Sequence, residues 1–544
     1  MSVTPPPASS ARARDVWAER VTAPQPRLVP VAALVGLLAA IAVPGHRVGL
    51  GAFVTLLAGA AAMWLASPRR WSRWSLLTVA LGLLLILPTV LRDDMTYPVV
   101  ALLVALVLGA VACTGATHVV GMVLSALAWP LAALRGLPLL GRTASALGRM
   151  RNGVAVLRTT VASLAVLVVL GGLLASADAV LGSWAGRLVP SVDALLLARA
   201  VVGISVAAVL LAGLYLAINP PAVDAARPGA LTARRIPPLE WQIPVGVALT
   251  VLTAFLIAQT AGMVGGHGYV LATTGLTYAE YARQGFAQLT LATALVLGLV
   301  AGVRTWGRAD RPRDRMTMQV MLGSLCVLGL TLVASALHRM ALYQGAFGWT
   351  VTRVSADLIE IWLGLLLVAT LVTIVRPALR AHLGRTALAS GAALVALWSC
   401  GNVPAFVAER NIARFHDTGR IDAVHLGQLG HDAAPTVLGS DLPEPVKSCA
   451  RAVAGHAENR GSADGLLGWN LARHRARTAL AAAPAGAPPA PPGRRGTSAP
   501  TPRTDPVAAP GVGLGCRPWP SAKSSSRTAA RSPSASPAPA PTTA

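Results

Sequence analysis

Long apolar runs follow one another from residue 28 to residue 400, and they constrain this chain more than any other feature. They lie at about 28–44, 48–66, 74–91, 97–113, 159–175, 199–218, 241–261, 285–303, 318–337 and 356–375, with a weaker one at about 386–400. Most are near the roughly 17–25 residues that carry a helix across a hydrocarbon core. Inside a bilayer the backbone has to satisfy its own N–H and C=O groups, and runs of this length do so as helices. The fold class is therefore all-α: a polytopic helical membrane protein with about eleven transmembrane helices and the lipid bilayer as its solvent. Composition agrees, with 54% hydrophobic and 12% charged residues and a mean hydropathy of +0.60, far from the balance of a soluble domain. The run of about 14 residues before Cys400 also fits a re-entrant or interfacial segment, and if it does not cross, everything after it changes side.

Orientation follows from where the arginines fall. The rich segments are the N-terminal arm, the loop with Arg69, Arg70 and Arg73, the stretch 135–158, the loop with Arg227, Arg234 and Arg235, the loop Arg304–Arg315, and that with Arg376, Arg380 and Arg385. The alternate loops are poor. This alternation holds only if 118–134 does not span, and it puts the N-terminus in the cytoplasm and residues after about 400 outside. Within 114–158, Arg135, Arg142 and Arg149 recur every seven residues and share one side of a helix. That pattern suits an interfacial helix at lipid phosphates, while Gly136, Pro138, Gly141 and Gly148 suit a broken cytoplasmic loop equally well.

A net charge of +24 invites a nucleic-acid reading. The arginines, however, are spread over short loops and the C-terminal tail instead of forming one basic domain with stacking aromatics, so no nucleic-acid partner is expected. Only Lys447 and Lys523 supply lysine, and neither has a phosphate-loop context. No HExxH, GxSxG or EF-hand pattern occurs, so no catalytic residue and no enzyme activity are assigned. Cys113, Cys326, Cys400, Cys449 and Cys516 show no CxxC spacing. His416, Asp417, Asp422, His425, His431 and Asp432 include metal-capable side chains, but their spacing matches no standard site and helix caps account for the aspartates; no metal and no cofactor are expected.

The informative stretch is Ala336–Gly364, where ionisable side chains enter apolar sequence. His338 and Arg339 end one helix, Tyr343 to Trp349 read as a glycine-punctuated turn, and Arg353, Asp357 and Glu360 open the next helix on one face. Arg353 and Asp357 have the spacing of an i,i+4 pair. Upstream, Thr277, Glu280, Gln284 and Gln288 make a second polar stripe. Together Glu280, Gln284, Gln288, His338, Arg339, Arg353, Asp357 and Glu360 form a candidate intramembrane polar network. Such groups either satisfy one another between helices or line a path for a proton or solute.

The chain divides into a disordered cytoplasmic arm (1–27), a four-helix transmembrane section (28–113), the connection 114–158, a transmembrane core (159–400), a small helical appendage (401–480) and a disordered Ala/Pro/Ser/Arg tail (481–544). In the appendage, Pro404, the stripe Ala405, Ala408, Ile412 and Phe415, and Gly419 mark one helix, and Asp422 and Asp432 each start a further one. Alone it is too short for a substantial core.

The stretches GLLASADAVL (172–181), GLTYAEYARQGFAQL (275–289), ALHRMALYQGAFGWTVTR (336–353), AFVAERNIARF (405–415), TGRIDAVHLGQLGHDAAPTVL (418–438) and LGWNLARHRARTAL (467–480) resemble the bacterial multi-pass membrane proteins that carry domain of unknown function 4173. The likeness runs over most of residues 30–480. Asn402-Val403-Pro404 departs from it, because Asn is expected directly before Pro there. The resemblance implies an integral membrane protein and carries over no catalytic residue. Two functions remain open: a membrane scaffold or sensor whose appendage meets an envelope protein partner, and a small-solute or proton-linked transporter.

Overall fold

The computed structural model describes residue 17, residues 19–146, 193–225, 236–264, 286–458 and 465–482, and scattered positions between 159 and 178. Most of the expected span at 159–175, Glu280, Gln284, the Arg227–Arg235 loop and the tail beyond residue 482 lie outside the described residues.

The apolar runs are helices: α1 Leu28–Ala42, α2 Leu50–Ala66, α3 Arg73–Ile86 with a further turn Pro88–Leu91, α4 Thr96–Thr114, α5 Val119–Arg135, α6 Leu137–Ala146, α7 Ala194–Ile218, α8 Pro238–Val264, α9 Phe286–Trp306, α10 Pro312–Phe347, α11 Val351–Val375 and α12 Leu383–Cys400. The appendage adds α13 Val403–Thr418, α14 Ala423–Gln428, α15 Ala434–Leu438, α16 Glu444–Glu458 and α17 Leu471–Ala482. The structure is all-α, and no strand occurs among the described residues. Local chemistry sets the ends. The side chains of Ser72, Thr350, Asn402 and Asp422 accept hydrogen bonds from backbone N–H groups of the first turns that follow them. Gly115 and Gly419 close α4 and α13 in the left-handed region.

Eight described helices are long and apolar enough to cross a membrane, or nine if α5 and α6, which meet at 43°, count as one; α1 and α2 are apolar but shorter. Helices α1–α4 and α7 pack as one group. Between α1 and α7 the backbones touch, since a Cβ on Gly36 would lie 2.6 Å from the Gly203 carbonyl, the close approach that small residues permit in membranes. Helices α8–α11 form a second group around Trp241, Val300, Leu325 and Leu367. Helix α12 bridges the two, laying Ala392 and Ala396 against Leu85, Ala101 and Leu108.

Two expectations change. Helix α10 runs through Tyr343 to Phe347, so the turn before α11 shrinks to Gly348, at φ +83°, and its neighbours; its 36 residues make a rod of about 54 Å. Residues of the N-terminal arm described as disordered are bound: the Trp17 indole donates to the Asn219 carbonyl (2.8 Å), Arg20 and Val21 amides donate to the Asn219 side chain, and Glu19 meets Arg142 at 2.6 Å. The two ends of α5 both meet neighbours of the segment 219–224 that follows α7. Thr117, just before it, bonds Asp224 (2.8 Å), and Arg135, its last residue, bonds the Trp17 carbonyl (3.0 Å) beside Asn219.

The appendage has its core in common with the spans. Val407, Ile412, Leu426, Val437 and Val446 cluster with Tyr97 of α4, and Trp349 and Trp398 pack at the edge. Burying this shared face replaces the core that so short a segment lacks on its own.

Candidate functional site

The intramembrane polar side chains come together only in part. Gln344 on α10 donates to Asp357 Oδ2 at 2.6 Å, and Thr293 on α9 donates to Glu360 Oε1 at 3.4 Å. Arg353 does not pair with Asp357. Its guanidinium donates to the Gly348 carbonyl and lies 4.0 Å from the centroid of the Tyr343 ring, because a first-turn arginine reaches back more easily than forward to i+4. Arg339 is buried but is not an ion-pair partner of Glu360. Gln288 and His338 point outward and are exposed. Glu360 is fully buried; its Oε2, and Asp357 Oδ1, have no hydrogen-bond partner. Low-dielectric surroundings make such atoms costly, which marks α9, α10 and α11 as a place of unspent polar capacity.

A tighter assembly lies where the appendage meets the loops after α1 and α3. Asp93 is its hub. The Asp93 carboxylate accepts from Arg47 (3.2 Å), from Arg473 (2.5 Å) and from His431 Nδ1 (2.6 Å), so that ring nitrogen carries the proton. Beside it, Asp432 accepts from Arg92 (3.3 Å) and from the Asp93 amide (3.1 Å). Asn402 donates to the Asp432 carbonyl (2.8 Å), Asn470 to the Arg92 carbonyl (2.8 Å), and Arg473 also to the Val48 carbonyl (2.9 Å). The Leu50 amide donates to the Trp469 carbonyl (2.9 Å). Thus loops near residues 48 and 93, the end of α12 and both ends of the appendage are tied at one point.

Burial acts most strongly on Asp93 and by itself raises the carboxyl. The hydrogen bonds from His431 and Arg473 and the charge of Arg47 outweigh it, and the group falls from 3.8 to about 2. Burial also dominates at Asp432 and pushes that carboxyl up, with Arg92 and the backbone amides only partly offsetting it. His431 and Arg473 side chains are each 3% exposed. With both carboxylates engaged by several donors and His431, Arg473 and Asp432 buried, the arrangement is suited to holding two parts of the chain together.

Most of this was not read from the sequence. Asp432, expected as a helix cap, is instead buried against Arg92, and α15 starts after Ala433 without a side-chain cap. Asp422 does cap α14. His416 pairs instead with Asp441 (3.2 Å), and among the described residues no three His, Cys, Asp or Glu side chains gather where they could hold a metal ion.

The model of a domain of unknown function, DUF4153, matches residues 52–439, which run from α2 through the appendage helix α15. The chain belongs to that family. The match supports the expectation of an uncharacterised family but not the domain of unknown function 4173 to which the chain was likened. No curated protein and no solved structure matches the chain. The matched span holds Asp93, His431 and Asp432, while Arg473 lies beyond it.

Proposed function

We propose that this DUF4153 protein is a membrane scaffold or sensor, with the spans anchoring a helical appendage that meets an envelope protein. The observation that carries this reading is the Asp93 hub. It fixes the appendage rigidly over one end of the bundle, which a platform for a partner needs. The arginine distribution supports an extracytoplasmic appendage: Arg69, Arg70, Arg304, Arg308 and Arg380 lie at the end opposite Asp93. The same sorting of helix ends, with both ends of α5 meeting neighbours of the segment 219–224, supports eleven crossings when one falls in 159–192.

A photo-crosslinking amino acid at Asp417 or Arg420, both exposed on the appendage, tests the reading in intact cells. A discrete adduct at both positions that is lost in Asp93→Asn is the expected result. Absence of any adduct, together with proton uptake into reconstituted vesicles that disappears in Glu360→Gln, sinks it in favour of transport. That second reading is kept because Glu360 Oε2 and Asp357 Oδ1 are buried without partners.

A further inference from the structure

A cavity of about 340 Å³ lies among α1, α2, α3, α4, α5 and α7. We propose that it is a binding site for one acyl chain of a phospholipid from the surrounding bilayer, with the lipid phosphate at the Arg69–Arg73 loop. Its lining is apolar apart from five hydroxyls, and the three on its inner side are committed: Thr55 donates to the Gly51 carbonyl (2.9 Å), Ser75 to the Ala112 carbonyl (3.2 Å) and Thr78 to the Ser75 carbonyl (3.0 Å), while Ser67 lies at one end and Ser205 is exposed. A cavity so predominantly apolar suits hydrocarbon better than water.

The space is built by missing side chains. Gly59 on α2 and Gly82 on α3 line it, both are half-buried, and a Cβ on either would meet nothing within 4 Å among the described residues. The floor is solid, since a Cβ on Gly213 would be 2.8 Å from both Met63 Sδ and the Trp129 ring. Along α2 the lining extends from Thr55 to Ser67, about 18 Å at the helical rise and a little over half of a ~30 Å hydrocarbon core. That is the depth of one leaflet. At the Ser67 end, Trp71 is exposed and stacks edge-on against Trp64 (5.4 Å), as aromatic rings do at headgroup level. The adjoining Arg70 and Arg73 supply positive charge where a phosphate would sit.

The test uses the full chain in vesicles of phosphatidylglycerol and phosphatidylcholine containing a phospholipid with a diazirine in its acyl chain. Photo-adducts in the wild type should map to the lining near Gly59 and Gly82. In Gly59→Leu/Gly82→Leu, which fills the space without a backbone clash, they should fall at least fivefold while the melting temperature stays within 2 °C of wild type. Should the double variant fail to fold, Gly82→Leu alone, with native mass spectrometry counting one retained phospholipid in wild type and none in the variant, decides the matter. Arg70→Gln/Arg73→Gln should reduce that retention. Adducts undiminished in the filled variants, or confined to the outer surface, overturn the proposal; so does a wild-type lining that yields no adduct because residues 159–175 of the chain occupy it.

Discussion

Protonating Asp93 removes the acceptor that Arg47, Arg473 and His431 share. Its folded value of about 2 lies below its ordinary 3.8, so its stabilisation is complete above that ordinary value and is lost as pH falls from roughly 4 to 2, by about 2 kcal/mol. Asp432 has the opposite sign. Its carboxyl is raised, so its favourable contribution is full at low pH and declines as pH rises through its folded value. Docking of the appendage should therefore strengthen slightly on mild acidification and then weaken below about pH 4. Protease sensitivity of the appendage in detergent, followed across pH, measures this, and Asp93→Asn should flatten the acid limb. Arg473→Ala should cost roughly 3 kcal/mol, the low end for one partner of a buried pair, since His431 and Arg47 remain. In the membrane, Asp357→Ala strands the Gln344 amide and not Arg353, for an expected loss of about 1–3 kcal/mol in a melting experiment. A loss near 5 kcal/mol would restore the Arg353 pairing.

Helix crossings give the clearest contrast between two glycines. Gly36→Val forces a side chain into the Gly203 carbonyl, where no rotamer change relieves it, so α1 and α7 must part at about 2–3 kcal/mol. Gly59→Ala should be nearly silent, and comparing the two melting temperatures checks both. Helices were legible in the sequence because length and apolarity decide a crossing locally. The end of α10 was not: Gly345 and Gly348 look alike as breakers, yet only Gly348 adopts positive φ, and Gly345 stays helical. The Arg353–Asp357 spacing permitted a pair, and Gln344, arriving from the neighbouring helix, took its place. Asp432 was misread because its partner Arg92 is 340 residues away, and no periodicity records a contact of that kind.

At the scale of the whole molecule, the two ends of the bundle differ in charge, and that difference carries a topological expectation. With native cysteines replaced, Asp417→Cys should react with an impermeant thiol reagent in intact cells and Arg313→Cys should not. The reverse pattern turns the molecule over in the membrane. The hub that holds the appendage also imposes an order in time. His431 and Arg473 follow Asp93 by 338 and 380 positions, so of the three donors to Asp93 only Arg47 leaves the ribosome with the first hairpins. Domains synthesised first normally fold first, but here the loops after the earliest helices take their hub partners from a segment made much later. A chain cut short before residue 431 lacks His431 and Arg473 and leaves Arg47 as the one partner of Asp93 among those three donors, so the hub closes only once the appendage has been made.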